Sequence, residues 1–560
     1  MTKLLALVLM TLLLVVGISE GAYDSRKVIQ ASEILAAMEC GEPIEYDSVI
    51  VDGYLNLSGG ALETVHFNNT IFRGNVRFSG TNFTGDAWFQ RTNFNGYASF
   101  REAEFSGGNT DFLGAVFSGG GAYFSEAEFS GGDTDFSEAE FSGGDTDFWD
   151  AEFSGGDTNF LGAEFSGGDT NFLDAEFSGG DTDFSGAQFS GGYASFWHVE
   201  FSGGSAYFRY VKFSGGDTSF LDAEFSGGRA YFERAVFSGG NADFWGAMFA
   251  GGRADFSDAE FSGGSADFRG VVFSDGCADF GGVVFSGGYA DFSEAQFREF
   301  AQFSNATFNG SAIFDSAQSS KRTYFNSAIF NGSASFEDAQ FGGNVYFEDT
   351  AFGRDLNLNR TGYTRLLLRW SSIDESQLSV SDYDAYLALM RNYVNLGWFE
   401  DSNNCYYEYR NKHRMEERIC IEKVTDTVEW VLYGYGMKPL WTGGWIVVLV
   451  LLFGLVFRNG DNIRKYVRED KEETIKDEAT EQDDSEDVEL KTTLKRGKIN
   501  FKDPFLFSLA TFTSGLTSFL YPTIEYRAEK HTRLVIIEQL LGSVFIALLI
   551  TAITKTWLIR

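Results

Sequence analysis

The carboxylates are the side chains best placed by type and spacing to do chemistry, and that chemistry would be cation or partner binding. Glu128, Glu152 and Glu176 recur 24 residues apart, Glu140 and Glu164 share that interval, and Asp133, Asp145, Asp157, Asp169 and Asp181 recur every 12. Like charges at fixed intervals imply columns on a repeating surface. No segment follows the calcium-loop pattern. The reading therefore favours a solvated, self-repelling surface, with cations attracted to it as the weaker alternative. His66, His198, His413 and His531 are scattered without metal-ligand spacing, and four Cys in 560 residues do not make a disulfide scaffold. No Ser/His/Asp set, paired-carboxylate pocket or phosphate loop stands at a workable spacing. The expectation is a non-enzyme, with no catalytic residue, cofactor or resident metal. A net charge of −37 argues against nucleic acid as a partner, because phosphate binding needs basic patches.

The elements that hold these carboxylates are legible in the aromatics. The chain has 65 Gly and 59 Phe but only 4 Pro. From Phe105 to Phe297 the Phe spacing alternates between 7 and 5, a period of 12. Toward both ends it becomes 5 and 6, as in Phe67, Phe72, Phe78, Phe83, Phe89 and Phe94. Ser319 stands where a Phe is expected. A small residue precedes each Phe by two places, as in Ala151-Glu152-Phe153-Ser154-Gly155 and Thr158-Asn159-Phe160-Leu161-Gly162. In an extended segment, positions two apart face the same side. Phe and its Ala or Thr then face inward, and Glu152 and Asn159 face out. Gly156 and Asp157 form a two-residue insert between units.

These units resemble the pentapeptide-repeat family, whose unit reads small–polar–Leu/Phe–polar–any. The resemblance covers roughly residues 50–360. It implies a right-handed quadrilateral β-helix with four units per coil, about 12 coils and about 60 Å long at the strand spacing. Insert glycines are expected to bulge at corners with positive φ. Around this solenoid the expected order is a signal peptide over 1–21, an N-terminal cap over 22–49 that includes the amphipathic stretch Ile29 to Met38, and a helical cap and spacer over 361–440. Cys405 and Cys420 in the spacer could pair outside the cell.

The fold is thus expected to be mostly β, followed by an α-helical transmembrane domain. Residues 441–457 form a membrane span, 458–502 an acidic flexible loop, and 503–560 a pore-like segment and a second span, Leu534 to Thr554. Gly434-Tyr435-Gly436 reads as a turn leading into the first span. The region resembles the two-helix potassium-channel module. Phe507-Ser508-Leu509-Ala510-Thr511-Phe512-Thr513 matches its pore helix entering a filter, and Arg533 through Glu538, Leu541 and Gly542 match the start of its inner helix. The resemblance implies that Thr511, Thr513, Ser514 and Gly515 line any pore, although Leu516-Thr517 replaces the family's Tyr-Gly and makes the filter degenerate. Basic residues from Arg458 onward place 458–502 in the cytoplasm, whereas the signal peptide places the repeats outside. A normal channel of this kind has that loop outside, so the region is inverted, degenerate, or rearranged by a third span over 505–521. The functional expectation is a multi-pass cell-membrane protein with a structural or interaction role at the surface. Its partners would be the membrane, cations on the acidic rod, surface proteins, and a homo-oligomer formed through the membrane domain. The alternative is an ion channel or channel-like transporter.

Overall fold

The computed structural model describes residues 25–373, 378, 383–416, 421–459, 462–473, 489–513 and 524–555. The signal-like segment 1–21 lies outside them. The chain divides into two compact units, Met1–Ala385 and Tyr386–Arg560, each described by itself.

The first unit is a parallel β-solenoid whose two-residue strands stack in four columns. Glu152–Phe153 pairs with Glu176–Phe177, Thr158–Asn159 with Thr182–Asp183, Glu164–Phe165 with Gln188–Phe189, and Thr170–Asn171 with Ala194–Ser195. We number these columns faces 1 to 4 in that order. Face 3 has 15 strands and face 4 has 14, so the solenoid makes about 14 turns, not 12. The Phe series undercounts because aliphatic residues fill the lumen at both ends: Ile29, Val51, Leu55 and Leu62 at the start, Leu356, Leu358 and Leu366 at the finish.

The lumen is a lattice of rings. Phe160 is fully buried and stacks on Phe136 and Phe184, at 5.0 and 4.6 Å between centroids. Across the lumen it meets Phe148 and Phe172 edge-on, both at 5.6 Å. Offset stacks along a column and T-shaped contacts between columns are the two favoured aromatic geometries, and the repeat supplies both. Ser319 is also buried, between Phe297 and Phe341 in its column. At the N-terminal end, Lys27–Gln30 pairs in register with Val49–Asp52. Helix α1 (Ala31–Glu39) follows, with the Gln30 N–H donating to Glu33 Oε1 at 3.0 Å and with Ala31 and Ile34 buried.

The inserts depart from expectation. Positive φ falls mainly two places after the Phe of faces 2 and 4, at Glu138, Asp150, Asp174 and His198 among others, rather than at the insert glycines, with Gly252 and Gly276 as exceptions. The insert glycines serve close approach instead: a Cβ on Gly156 would lie 2.0 Å from Asp133 Oδ1 of the preceding turn.

The second unit begins with helices α2 (Asp384–Leu396, from Tyr386 onward), α3 (Phe399–Glu416) and α4 (Ile421–Tyr433). Gly434–Gly436 is one tight turn, its Tyr435 hydroxyl donating to Asp426 Oδ2 at 2.6 Å. Cys405 is a buried free thiol, and Cys420 lies outside the described residues. Helices α5 (Pro439–Arg458) and α7 (Thr532–Ile553) are long and apolar enough to cross a membrane. Between them lie strands β1 (Ile463–Glu473) and β2 (Glu489–Arg496), the short helix α6 (Asp503–Phe512), and strand β3 (Ile524–Ala528). Of the flexible loop expected over 458–502, residues 463–473 and 489–496 are strand, and 474–488 lie outside the described residues. β1 pairs antiparallel with both β2 and β3. Ile463 anchors this sheet in a core with Phe457 and Phe507, against which Tyr526 and Ala528 pack. The anchors flank the polar window, which is why hydropathy misses the strands.

Candidate functional site

The pore-like segment is built around α6. Its N-terminus is fastened to the sheet by Asp503. Asp503 Oδ1 accepts from Lys465 Nζ at 3.0 Å and from the Tyr526 hydroxyl at 2.9 Å, and Oδ2 accepts from the Asn500 N–H at 2.5 Å. Burial works against this carboxylate, but the Asn500 N–H, Lys465 and Tyr526 outweigh it and hold its pKa below the ordinary value. Asp503 also lies in the first turn of α6, where an anion complements the helix dipole, and Pro504 follows at a position that needs no N–H.

Two glycines seat α6 between its neighbours. A Cβ on Gly454 of α5 would lie 2.4 Å from the Phe505 ring, and one on Gly542 of α7 would lie 2.0 Å from the Phe512 carbonyl oxygen. Gly542 is midway along α7, so α6 ends at mid-depth of the bundle. One turn before Gly542, the fully buried Glu538 carboxyl meets the Ser508 hydroxyl, which also lies 2.9 Å from the Val450 carbonyl oxygen of α5. One polar junction therefore ties three helices. Glu538 Oε2 has no hydrogen-bond partner among the described residues.

The chain around α6 leaves and rejoins one sheet. β2 precedes α6, β3 follows 514–523, and both pair with β1. Ten residues of helix rise only about 15 Å. Of the third span considered over 505–521, the described part is helix only as far as Phe512, and 514–521 lie outside the described residues. Lys555, past the end of α7, approaches Gly436 just before α5, so α5 and α7 run antiparallel.

Of the residues expected to line a pore, Thr511 is buried in the last turn of α6. Thr513 caps its end, half-buried, its hydroxyl donating to the Leu509 carbonyl at 2.7 Å. Ser514 and Gly515 lie outside the described residues. Sequence reasoning missed Asp503, Ser508 and the Glu538 contact. An ionisable residue inside an apolar span was the available signal for Glu538.

On the rod, the expected carboxylate columns exist. Glu104, Glu128, Glu152, Glu176, Glu200 and Glu224 stack along face 1. Burial, then the carboxylates of Glu128, Glu176 and Asp150, push the Glu152 pKa up. Among the described residues no group of His, Cys, Asp and Glu is arranged to hold a metal ion. The insert acids are engaged with the backbone. Asp133 Oδ1 accepts the Asp157 N–H at 3.0 Å, Asp157 the Asp181 N–H at 2.8 Å, and Asp181 the Ser205 N–H at 2.7 Å. The acids just before Phe close local turns, as Asp135 does with the Ser137 N–H at 2.8 Å.

A family model described as pentapeptide repeats (9 copies) matches residues 67–116, 89–139 and 320–362. The rod is a pentapeptide-repeat β-solenoid. All the matched residues lie in this solenoid. Comparison with curated proteins and with solved structures finds no match for the chain. In the pentapeptide-repeat unit the Phe and small-residue positions face the lumen, as in Phe160 and Thr158, and the outward positions carry the columns described above.

Proposed function

We propose that this pentapeptide-repeat protein carries a two-span, channel-like membrane module that conducts cations as an oligomer. The observation that carries this reading is the seating of α6: it is fastened to the sheet by Asp503, ends at mid-depth against Gly542, and is followed by a chain that returns to the same sheet. A re-entrant helix places its C-terminal carbonyls, with their partial negative charge, in the middle of the bundle, where they favour a cation. One copy has no closed ring of such ends, so the reading requires a homo-oligomer around an axis near the end of α6 at Thr513, which Ser514 and Gly515 follow in sequence. Leu516-Thr517 in place of Tyr-Gly supports weak discrimination among cations rather than potassium selectivity. The signal-like N-terminus and the basic residues after α5 support a cell-membrane location with the solenoid outside, and its resemblance to the repeat family supports a right-handed coil. Acidic columns on the rod would concentrate cations near the membrane.

The test is cation flux into liposomes holding purified full-length protein. The expected result is a leak that passes Na⁺ and K⁺ at comparable rates and is lost in Gly515→Ala. A silent wild type would overturn conduction and leave membrane anchoring of the rod. Potassium-selective steps would overturn the degenerate filter.

A further inference from the structure

Face 4 of the solenoid carries an apolar stripe on its outer side. Trp149, Leu173, Trp197, Leu221 and Trp245 each follow the inward Phe of five successive turns. Those Phe rings stack at 4.8, 5.0, 4.7 and 4.9 Å, so the outer side chains follow one another at the same rise. Trp197 and Trp245 are 41% and 51% exposed. The Arg269 guanidinium lies 5.2 Å from the Trp245 ring centroid and closes one end. Beside the N-terminal part of the stripe runs a groove of about 410 Å³, lined by Tyr123, Asp147, Asn171 and Tyr193 together with Leu173 and Trp197 of the stripe itself. Asp145 and Asp169 each spend one oxygen on the N–H of the next turn and leave the other to solvent or ligand. A Trp/Leu row with two exposed indoles and three half-buried members is unusual on a chain of net charge −37, and exposed apolar patches mark binding surfaces.

We propose that face 4 binds a linear glycan that lacks acidic groups. Indole and phenol faces stack against the C–H faces of pyranose rings, and the flanking carboxylates and amide accept and donate hydrogen bonds to hydroxyls. Trp149, Trp197 and Trp245 are two turns apart, about 10 Å per step at the strand spacing. An extended β-1,4-linked chain presents the same sugar face at a comparable two-residue repeat. The stripe is one side chain wide, whereas a protein partner needs a broader apolar centre. The acidic edges, which include Asp150 and the Asp174 and Asp222 carboxylates that His198 bridges at 3.4 Å each, would repel an anionic polymer and a second copy of this face alike. This inference is independent of the pore reading, because binding is measured without transport.

The experiment is isothermal titration calorimetry of full-length protein in nanodiscs with cellohexaose, chitohexaose and, as the acidic control, polygalacturonate. At least one neutral hexasaccharide should bind saturably and polygalacturonate should not. Trp149→Ala, Trp197→Ala and Trp245→Ala combined should weaken binding at least ~10-fold, with the circular dichroism of the rod unchanged. Trp197→Tyr alone, which keeps an aromatic platform, should retain it. No heat with either neutral glycan, or affinity unchanged in the triple variant, would overturn the proposal. So would a triple variant that changes oligomeric mass in light scattering while the wild type binds no glycan, since the stripe would then be a self-association surface.

Discussion

At the scale of the residue, inward and outward positions have different physical jobs. Phe160 loses contacts along its column and across the lumen when truncated, and neighbouring rings held in registered turns cannot collapse into the space. Phe160→Ala should cost about 3–5 kcal/mol, whereas Glu164→Gln, on an exposed position, should leave the thermal midpoint unchanged; equal losses would refute the inward-Phe lattice. The insert acids give a finer test. Asp157 Oδ1 accepts the Asp181 N–H at 2.8 Å, and its own N–H goes to Asp133. Asn109, Ser205, Asn241 and Ser265 do the same work elsewhere along the rod. The acceptor is therefore what matters, not the charge. Asp157→Asn should match or exceed wild-type stability by relieving repulsion, and Asp157→Ala should cost about 1 kcal/mol, both read from denaturant midpoints. A loss in Asn as large as in Ala would show that charge was the point. The Asp period is plain in the sequence, but its role is not. Recognising it requires knowing that residue i+24 lies directly above residue i with an N–H left over.

At the scale of the element, α6 is the best test of the second unit, because two glycines and one carboxyl hold it. Gly542→Ala puts a methyl where the Phe512 carbonyl oxygen stands. Backbone cannot yield as a flexible side chain can, so α6 must shift. This variant should lower the thermal midpoint of the detergent-solubilised protein and abolish any flux, while leaving the rod transition in place. Glu538→Gln keeps the shape and supplies an amide N–H for Ser508, whose hydroxyl can then donate to Val450. It should stay close to wild type, whereas Glu538→Leu should lose about 1–2 kcal/mol, typical of hydrogen bonds between membrane helices. If Gln were as damaging as Leu, the junction would not be a hydrogen-bonded one. The elements of this unit were unevenly legible. The apolar runs of α5 and α7 declare themselves in hydropathy. β1 and β2 do not, because β1's second partner, β3, starts more than 25 residues after β2 ends and the sheet's anchors, Ile463 and Tyr526, are isolated apolar residues in polar surroundings. The seat of α6 is half visible: Gly542 stands out in a helix, but only the fold shows that it faces a carbonyl.

At the scale of the molecule, the sheet sets a condition on the proposed membrane crossings. α5 and α7 each cross once if they cross at all, and the chain between them leaves and rejoins the same three strands, so the number is even. The start of α5 and the end of α7 must then share a side, in agreement with Lys555 lying beside Gly436. The sheet must occupy the other side. On the proposed reading, basic residues such as Arg458, Arg464, Lys465 and Arg496 put the sheet in the cytoplasm and the spacer helices outside. Single cysteines placed in a variant lacking Cys40, Cys277, Cys405 and Cys420 can read this directly with a membrane-impermeant thiol reagent on intact cells. Asn403→Cys in the spacer and a cysteine appended after Arg560 should label, and Lys498→Cys beside the sheet should label only after lysis. The reverse pattern would keep the even count and invert the protein, placing the rod in the cytoplasm. Labelling of 403 and 498 from the same side would break the count itself, since α5 would then not cross, and with it the basis for reading α6 as a re-entrant pore helix.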